Sequence, residues 1–192
     1  NLINIVVVDS GEEIRKAGVT ASDVVRVLAP LGSVHVQGRG AKEWEKPLKS
    51  AGAEVSPGQG NSDSWLVARK PWPDDIDQWT HYLYDATNNA VSRDTVAGPP
   101  RQLQWVGSPN WARHHDRMAS MSALVSTAGR MFYIMDEGSR ISIQLPPKWK
   151  LIARDAFNGV VLWKRDIPTW QTHLWPLKSG PTQLSRRLVS SS

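Results

Sequence analysis

Apolar side chains recur along this chain with three different spacings, and each spacing predicts a different kind of structure. Leu2–Val8 (LINIVVV) is a continuous, mostly β-branched run of the kind buried on both faces of a parallel sheet. Val24, Val25, Val27 and Leu28 fall on one side of a helix that Thr20 or Ser22 can cap and that Pro30 and Gly32 end. Ser33–Gln37 (SVHVQ) is a short strand. Lys42–Ser50 gives a second, weaker helix with Pro47 in its interior and Gly52 closing it, and Trp65–Arg69 (WLVAR) is a further strand. The order βαβαβ predicts an α/β layer structure.

Residues 71–120 lose this periodicity. PWPDDIDQWTHYLYDATNNAVS packs Pro, Trp, Asp and Asn together, and Trp72, Trp79, Tyr82 and Tyr84 are too apolar for a disordered tether, so an ordered connector is expected. From Ser122 the spacing becomes two. SALVSTAGRMFYIMDEG reads as two strands around Ala128-Gly129, and LIARDAFNGVVLWKRDI repeats the form, with strands Leu151–Arg154 and Val160–Arg165 around the turn Asp155–Gly159. These four strands predict one antiparallel sheet. Between the hairpins, Ser139–Trp149 carries two adjacent prolines and reads as an insertion or long loop. In the second hairpin Asp155 can accept from backbone N–H groups across the turn, and Gly159 supplies a positive φ. Trp163 lies on the outgoing strand, where Val161 and Arg165 share its side of the pleat and its ring can pack against a neighbouring sheet.

Composition narrows the class. With 192 residues the chain can hold one ordinary domain or pieces of two; 40 % hydrophobic and 21 % charged residues suit a globular protein. No window approaches the roughly 18 apolar residues of a membrane-spanning helix. The first residue is Asn1 and no basic segment precedes the first strand, so the chain reads as an internal piece of a longer protein. The absence of cysteine excludes disulfides, thiolate metal sites and Cys nucleophiles without identifying a compartment. Net charge is +5, but residues 1–100 carry ten basic against thirteen acidic side chains and residues 101–192 thirteen against five. The basic charges of the second half (Arg101, Arg113, Arg130, Lys148, Lys164) are scattered, which argues against nucleic acid as a partner.

The densest polar cluster is ARHHDRM. On extended backbone His114 and Asp116 point one way and His115 and Arg117 the other, which suits a metal half-site, an anion or ligand clamp, or hydrogen-bonded packing. A metal needs at least three convergent ligands, and His81, His173 and Asp136 are the outside candidates. Asp74, Asp75 and Asp77 offer oxygens for calcium but lack the glycine and terminal glutamate of an EF-hand loop, so a capping or solvated turn is the plainer reading. Asp136 and Glu137 read as exposed acids at a hairpin end. No G-x-S-x-G elbow and no phosphate-binding loop occurs.

Two stretches resemble known families. RVLAPLGSVHV (Arg26–Val36) resembles the helix, Pro-Gly turn and strand in the second half of class I S-adenosylmethionine-dependent methyltransferases. KSAGAEV (Lys49–Val55) and WLVARKP (Trp65–Pro71) resemble that family's last helix and closing strand pair. In that family the cofactor is held by a glycine-rich loop and an acidic residue that would precede Asn1. Leu31 replaces the first Gly of the turn, and Asp9 lies roughly where the family can carry a substrate-facing polar residue; a polar strand end is the simpler account of Asp9. Ala153, Asp155, Gly159 and Trp163 resemble the A-x-D-x-x-T-G-x-x-x-W repeat of pyrroloquinoline quinone (PQQ)-like β-propellers, the quinoprotein alcohol dehydrogenase-like superfamily, with Asn158 in place of Thr. GRMFYIMDEG is similar to the strand ahead of that repeat. The stretch from KPWPDDIDQWTHYLYDA through WARHHDRMASMSALVS to HLWPLKSGPTQL resembles the opening of bacterial PQQ-binding-like β-propeller repeat proteins, some with a methyltransferase-like domain in front.

The resemblance implies an α+β chain in two parts: a partial Rossmann-like, methyltransferase-like α/β segment over 1–70, an aromatic and Pro-rich connector over 71–120, and the first blade region of an incomplete propeller over 121–192. It implies a scaffold role for Ala153, Asp155, Gly159 and Trp163, since in that family the Trp packs between blades while the Asp and Gly fix the turn. A propeller takes about four to eight blades, so remaining blades, or self-association through exposed edges, are the expected partners. The expected function is a non-catalytic binding or scaffold module. Its alternatives are a methyltransferase that begins before its cofactor loop and a PQQ-dependent oxidoreductase. No cofactor is expected in this stretch, with PQQ or S-adenosylmethionine possible in a longer protein; adjacent cysteines over the quinone, frequent in true quinoprotein dehydrogenases, do not occur here. A periplasmic or cell-envelope location is what the family resemblance favours.

Overall fold

A computed structural model describes residues 2–58, 65–96, 98, 101–108, 120–142, 145–170 and 184–191. The chain has mixed α/β content, with few helices and two four-stranded sheets. It divides into two compact units, Asn1–Asp74 and Asp75–Ser192.

The first unit runs β1 (Ile3–Val8), α1 (Gly11–Lys16), α2 (Ala21–Val27), β2 (Leu28–Gln37), a 3-10 turn (Ala41–Trp44), α3 (Glu45–Ser50), β3 (Glu54–Pro57) and β4 (Trp65–Arg69). Its sheet order is β1-β2-β4-β3: β1 and β2 are parallel, and β4 lies antiparallel between β2 and β3. Helix α2 starts at a capping box in which the Thr20 hydroxyl accepts from Asp23 N–H and the Asp23 carboxylate accepts from Thr20 N–H. This satisfies two of the donors a helix leaves unpaired at its start. At its other end Lys70 Nζ donates to the carbonyls of Val25 (3.1 Å) and Leu28 (2.8 Å). Burial lowers the pKa of that ammonium. Val8, Val24, Val25, Leu28, Val34, Val36, Trp44, Leu48, Leu66 and Ala68 pack into one core, and Trp44 Nε1 donates to Gly11 C=O at 2.9 Å.

Three local expectations change. β1 is buried on one face only, with Val8 3 % exposed but Ile5 62 % and Val7 59 % exposed. Pro47 falls in the first turn of α3, because the 3-10 turn over Ala41–Trp44 precedes it, and a first-turn residue needs no N–H partner. β2 begins at Leu28, directly after α2, and passes through Pro30 and Gly32 with Leu31 at φ +64°. Helix α1, which the spacing of apolar residues did not signal, is capped by Ser10, whose hydroxyl accepts from Glu13 N–H at 3.3 Å.

The second unit contains β5 (Met121–Thr127), β6 (Arg130–Asp136), β7 (Trp149–Asp155) and β8 (Val161–Asp166), an antiparallel meander in chain order, then a 3-10 turn (Leu184–Arg187). Ala128 and Gly129 turn the first hairpin with φ of +45° and +72°. Ala123, Ile134 and Trp149 form the centre of its core, with Leu151, Ile167, Trp170 and Leu188 against them. β8 is exposed along its whole length.

Candidate functional site

The best-defined constellation is the second hairpin of the meander. Asp155 Oδ1 accepts from Phe157 N–H (2.8 Å) and Asn158 N–H (2.9 Å), Gly159 N–H donates to Asp155 C=O (3.0 Å), and Gly159 has φ +77°. Asp155 and Gly159 therefore do what their spacing predicts: they close a turn. The glycine has a second reason that sequence did not supply. A Cβ at Gly159 would stand 2.5 Å from the Trp105 ring. Trp105 Nε1 donates to Ala156 C=O at 3.0 Å, and Gln104 Nε2 donates to Phe157 C=O at 2.7 Å, so residues 104 and 105 sit directly on the turn.

Arg154, 4 % exposed, lies under this contact. Its guanidinium donates to the carbonyls of Gly159 (2.5 Å) and Ser108 (2.7 Å) and to Tyr133 Oη (3.2 Å), and stands 5.4 Å from the Trp105 ring centre and 6.0 Å from that of Tyr133. A buried guanidinium satisfied by carbonyls and ring faces ties two segments some fifty residues apart, and desolvation strengthens each of those bonds. Neither Trp105 nor Arg154 stood out in the sequence, because their partners are remote along the chain. The QLQW run ahead of a glycine was the available hint.

Ala153 is fully buried, paired between Phe132 and Trp163 across the sheet. Trp163 is 43 % exposed, its ring 6.0 Å from that of Phe132. A bulge between Ala153 and Arg154 sets Val161 opposite Arg154, so the simple alternation expected over Val161, Trp163 and Arg165 is interrupted.

Asp77 is the polar centre of a second constellation. Its carboxylate accepts from Gln78 N–H (3.1 Å), Tyr84 Oη (2.9 Å), Ser92 Oγ (3.0 Å) and Arg93 N–H (2.5 Å). Desolvation pushes its pKa up, but the four hydrogen bonds prevail and hold it below the usual carboxylate range. Tyr84, buried and at φ +74°, has its phenol pKa raised by desolvation and by the bond to Asp77. Asp77 thus works as a backbone organiser. Asp136 is not an exposed acid: it is 2 % exposed and accepts from Gly138 N–H and Lys148 N–H, both at 2.8 Å, bracing the loop from β6 to β7. Asp9 accepts from Gln37 Nε2 at 2.7 Å, side by side at the carboxyl ends of β1 and β2. His81 Nδ1 is 2.9 Å from Thr80 Oγ1.

His114, His115, Asp116 and Arg117, the ligand candidates, and His173 lie outside the described residues. Among the described residues, no group of three His, Asp or Glu side chains could hold a metal ion, and no helix is long and apolar enough to cross a membrane. No protein-family model, no curated protein and no solved structure matches the chain.

Proposed function

We propose that this chain is a non-catalytic binding or scaffold module, in which a methyltransferase-like α/β unit precedes the first blade of a PQQ-like β-propeller. The reading rests on the Asp155–Gly159 turn. Its carboxylate and glycine engage the backbone of the turn and the Trp105 ring, and the neighbouring arginine engages carbonyls, the Tyr133 hydroxyl and that ring, which supports a role for these residues in holding the sheet. A four-stranded meander is the unit from which propellers are built, and exposed β8 with Trp163 at its centre is the surface on which a further blade would stack. In the first unit, the parallel pair β1-β2 followed by the antiparallel β4 inserted before β3 supports the methyltransferase-like assignment, and Leu31 at φ +64° occupies the left-handed position where the family pattern has glycine. Remaining blades, or a second copy of the chain, are the partners this surface implies.

Titration calorimetry of the 192-residue chain with S-adenosylmethionine, and separately with PQQ and calcium, tests the non-catalytic reading. No saturable micromolar binding of either is expected. Micromolar binding of S-adenosylmethionine would favour the methyltransferase, and of PQQ the oxidoreductase.

A further inference from the structure

Among the described residues, the outer edge of β5 is engaged at two points, with no main-chain partner between them. Ser126 N–H donates to Trp79 C=O at 2.7 Å, and Ser122 C=O accepts from Ser185 Oγ at 2.6 Å. In an antiparallel pair, alternate residues direct N–H and C=O away from the partner strand. Leu124, midway between Ser122 and Ser126 and opposite Tyr133, therefore presents both main-chain groups to this edge. Beside it lies a cavity of about 400 Å³ lined by Trp79, Tyr82, Met121, Leu124 and Met131 with the backbone of β5. Among the described residues, no charged side chain lines it.

We propose that this cavity binds a neutral, planar heterocycle carrying a hydrogen-bond donor and acceptor on adjacent ring atoms, a lactam in its simplest form, paired with the N–H and C=O of Leu124. The volume falls in the range of small-molecule sites, which are mostly apolar with a few placed polar groups. Trp79 and Tyr82 bring aromatic rings to the lining, and the Met121 and Met131 thioethers are soft contacts for an aromatic system. The wall is organised in advance: Trp79 N–H donates to Ser126 Oγ (3.1 Å), its Nε1 donates to Tyr82 C=O (3.3 Å), and its ring meets Tyr84 edge-on at 5.5 Å. Such order lowers the entropic cost of binding. An extended peptide is a poorer occupant, because to run along β5 it would have to displace both Trp79 from Ser126 and Ser185 from Ser122. A charged ligand would lose its hydration against the described lining, which supplies no opposite charge. The assignment stands on the geometry of β5 and is independent of the propeller reading.

Quinolin-2-one serves as the probe, with its N-methyl derivative and naphthalene as controls, titrated into the 192-residue chain while the Leu124 amide is followed by NMR. Quinolin-2-one should shift that amide saturably. N-methylation, which removes the donor to the Leu124 carbonyl, and naphthalene, which lacks both groups, should each bind at least about tenfold more weakly. Leu124→Lys and Tyr82→Ala, at positions 42 % and 39 % exposed, should each weaken quinolin-2-one by a similar factor. The proposal is overturned if the lactam gives no saturable shift up to its solubility limit. Equal binding of all three probes would overturn it too, since only apolar surface would then be recognised. So would unchanged affinity in Tyr82→Ala, which is read even where Leu124→Lys does not fold.

Discussion

Among the described residues, the buried set of the first unit is wholly apolar, with Leu28, Val34, Val36, Trp44 and Leu48 at or below 1 % exposure, whereas the second unit buries Ser120, Thr127, Asp136, Arg154 and Asp155 beside its apolar core. The first sheet is held by area removed from water, a force that tolerates approximate shape. The second is held to a larger degree by directed bonds from carboxylate and guanidinium to main chain, which fail when one partner is lost. The same residue type should therefore respond differently to substitution in the two units.

Tryptophan gives the largest contrast. Trp44 is 1 % exposed with its indole N–H bonded, so Trp44→Ala should cost about 3–5 kcal/mol. Trp163 is 43 % exposed, and in this chain Trp163→Ala should cost less than about 1 kcal/mol, rising toward the larger range only where a further blade covers it. Denaturant unfolding of the two variants measures both. Equal losses would mean that Trp163 is already covered, by self-association for example, which sedimentation would reveal.

Next in size is Gly159→Ala. The left-handed backbone alone costs about 1 kcal/mol, and displacing the Trp105 ring from 2.5 Å adds an overpacking cost of about 1–3 kcal/mol. Trp105→Gly combined with Gly159→Ala should recover the overpacking part and leave the backbone part. If Gly159→Ala costs the same with and without Trp105, the stacking contact is not what the glycine serves.

How much of this was readable beforehand differs between the units in the same way. Runs such as INIVVV and WLVAR, and the turns at Ala128-Gly129 and Asp155–Gly159, announce themselves because each depends on residues a few positions apart. The one-sided burial of β1 did not, since a β-branched run states that a strand can be covered and not what covers it. Ser10 with Glu13 was a legible cap, hidden by a helix too short to show a period. The partners of Asp77, Arg154 and Trp105 were illegible for a different reason: Asp77 meets Ser92 and Arg93, and Arg154 meets Ser108, across separations where sequence carries no spacing rule.

A smaller effect follows from Asp77. Its folded-state pKa lies below the unfolded value, so its contribution to stability is complete above the unfolded pKa and is lost as pH falls through the folded one. Asp77→Asn should lower stability at neutral pH, because in either orientation its amide group meets donors, those of Ser92 and Arg93 or those of Gln78 and Tyr84, and should flatten the decline in stability toward acid. Urea midpoints across the acid range report both. An acid decline of the same steepness in wild type and variant would assign the pH dependence to other carboxylates.

The smallest predicted change concerns Leu31, and its sign is the informative part. At φ +64° a leucine carries the steric cost of the left-handed region, about 1–2 kcal/mol, which glycine avoids. The conformation is imposed from outside: Leu31 N–H donates to Lys70 C=O at 2.9 Å, Lys70 N–H donates to Gly32 C=O at 2.8 Å, and Gly32 is hemmed in by the carbonyls of Ala29, Ile3 and Asn4. Leu31→Gly relieves the strain but adds chain entropy to the unfolded state, about 0.5–1 kcal/mol, and gives up the apolar contact of a half-buried side chain. The net effect is small. Leu31→Ala gives up the same contact and keeps the strain, so the glycine variant should be the more stable of the two by about 1 kcal/mol, the reverse of the order found within strands of ordinary φ. Paired thermal melts decide it. An alanine variant equal to or more stable than the glycine one would show that β2 relaxes out of the left-handed turn at Leu31, and that the bonds from Lys70 do not fix it.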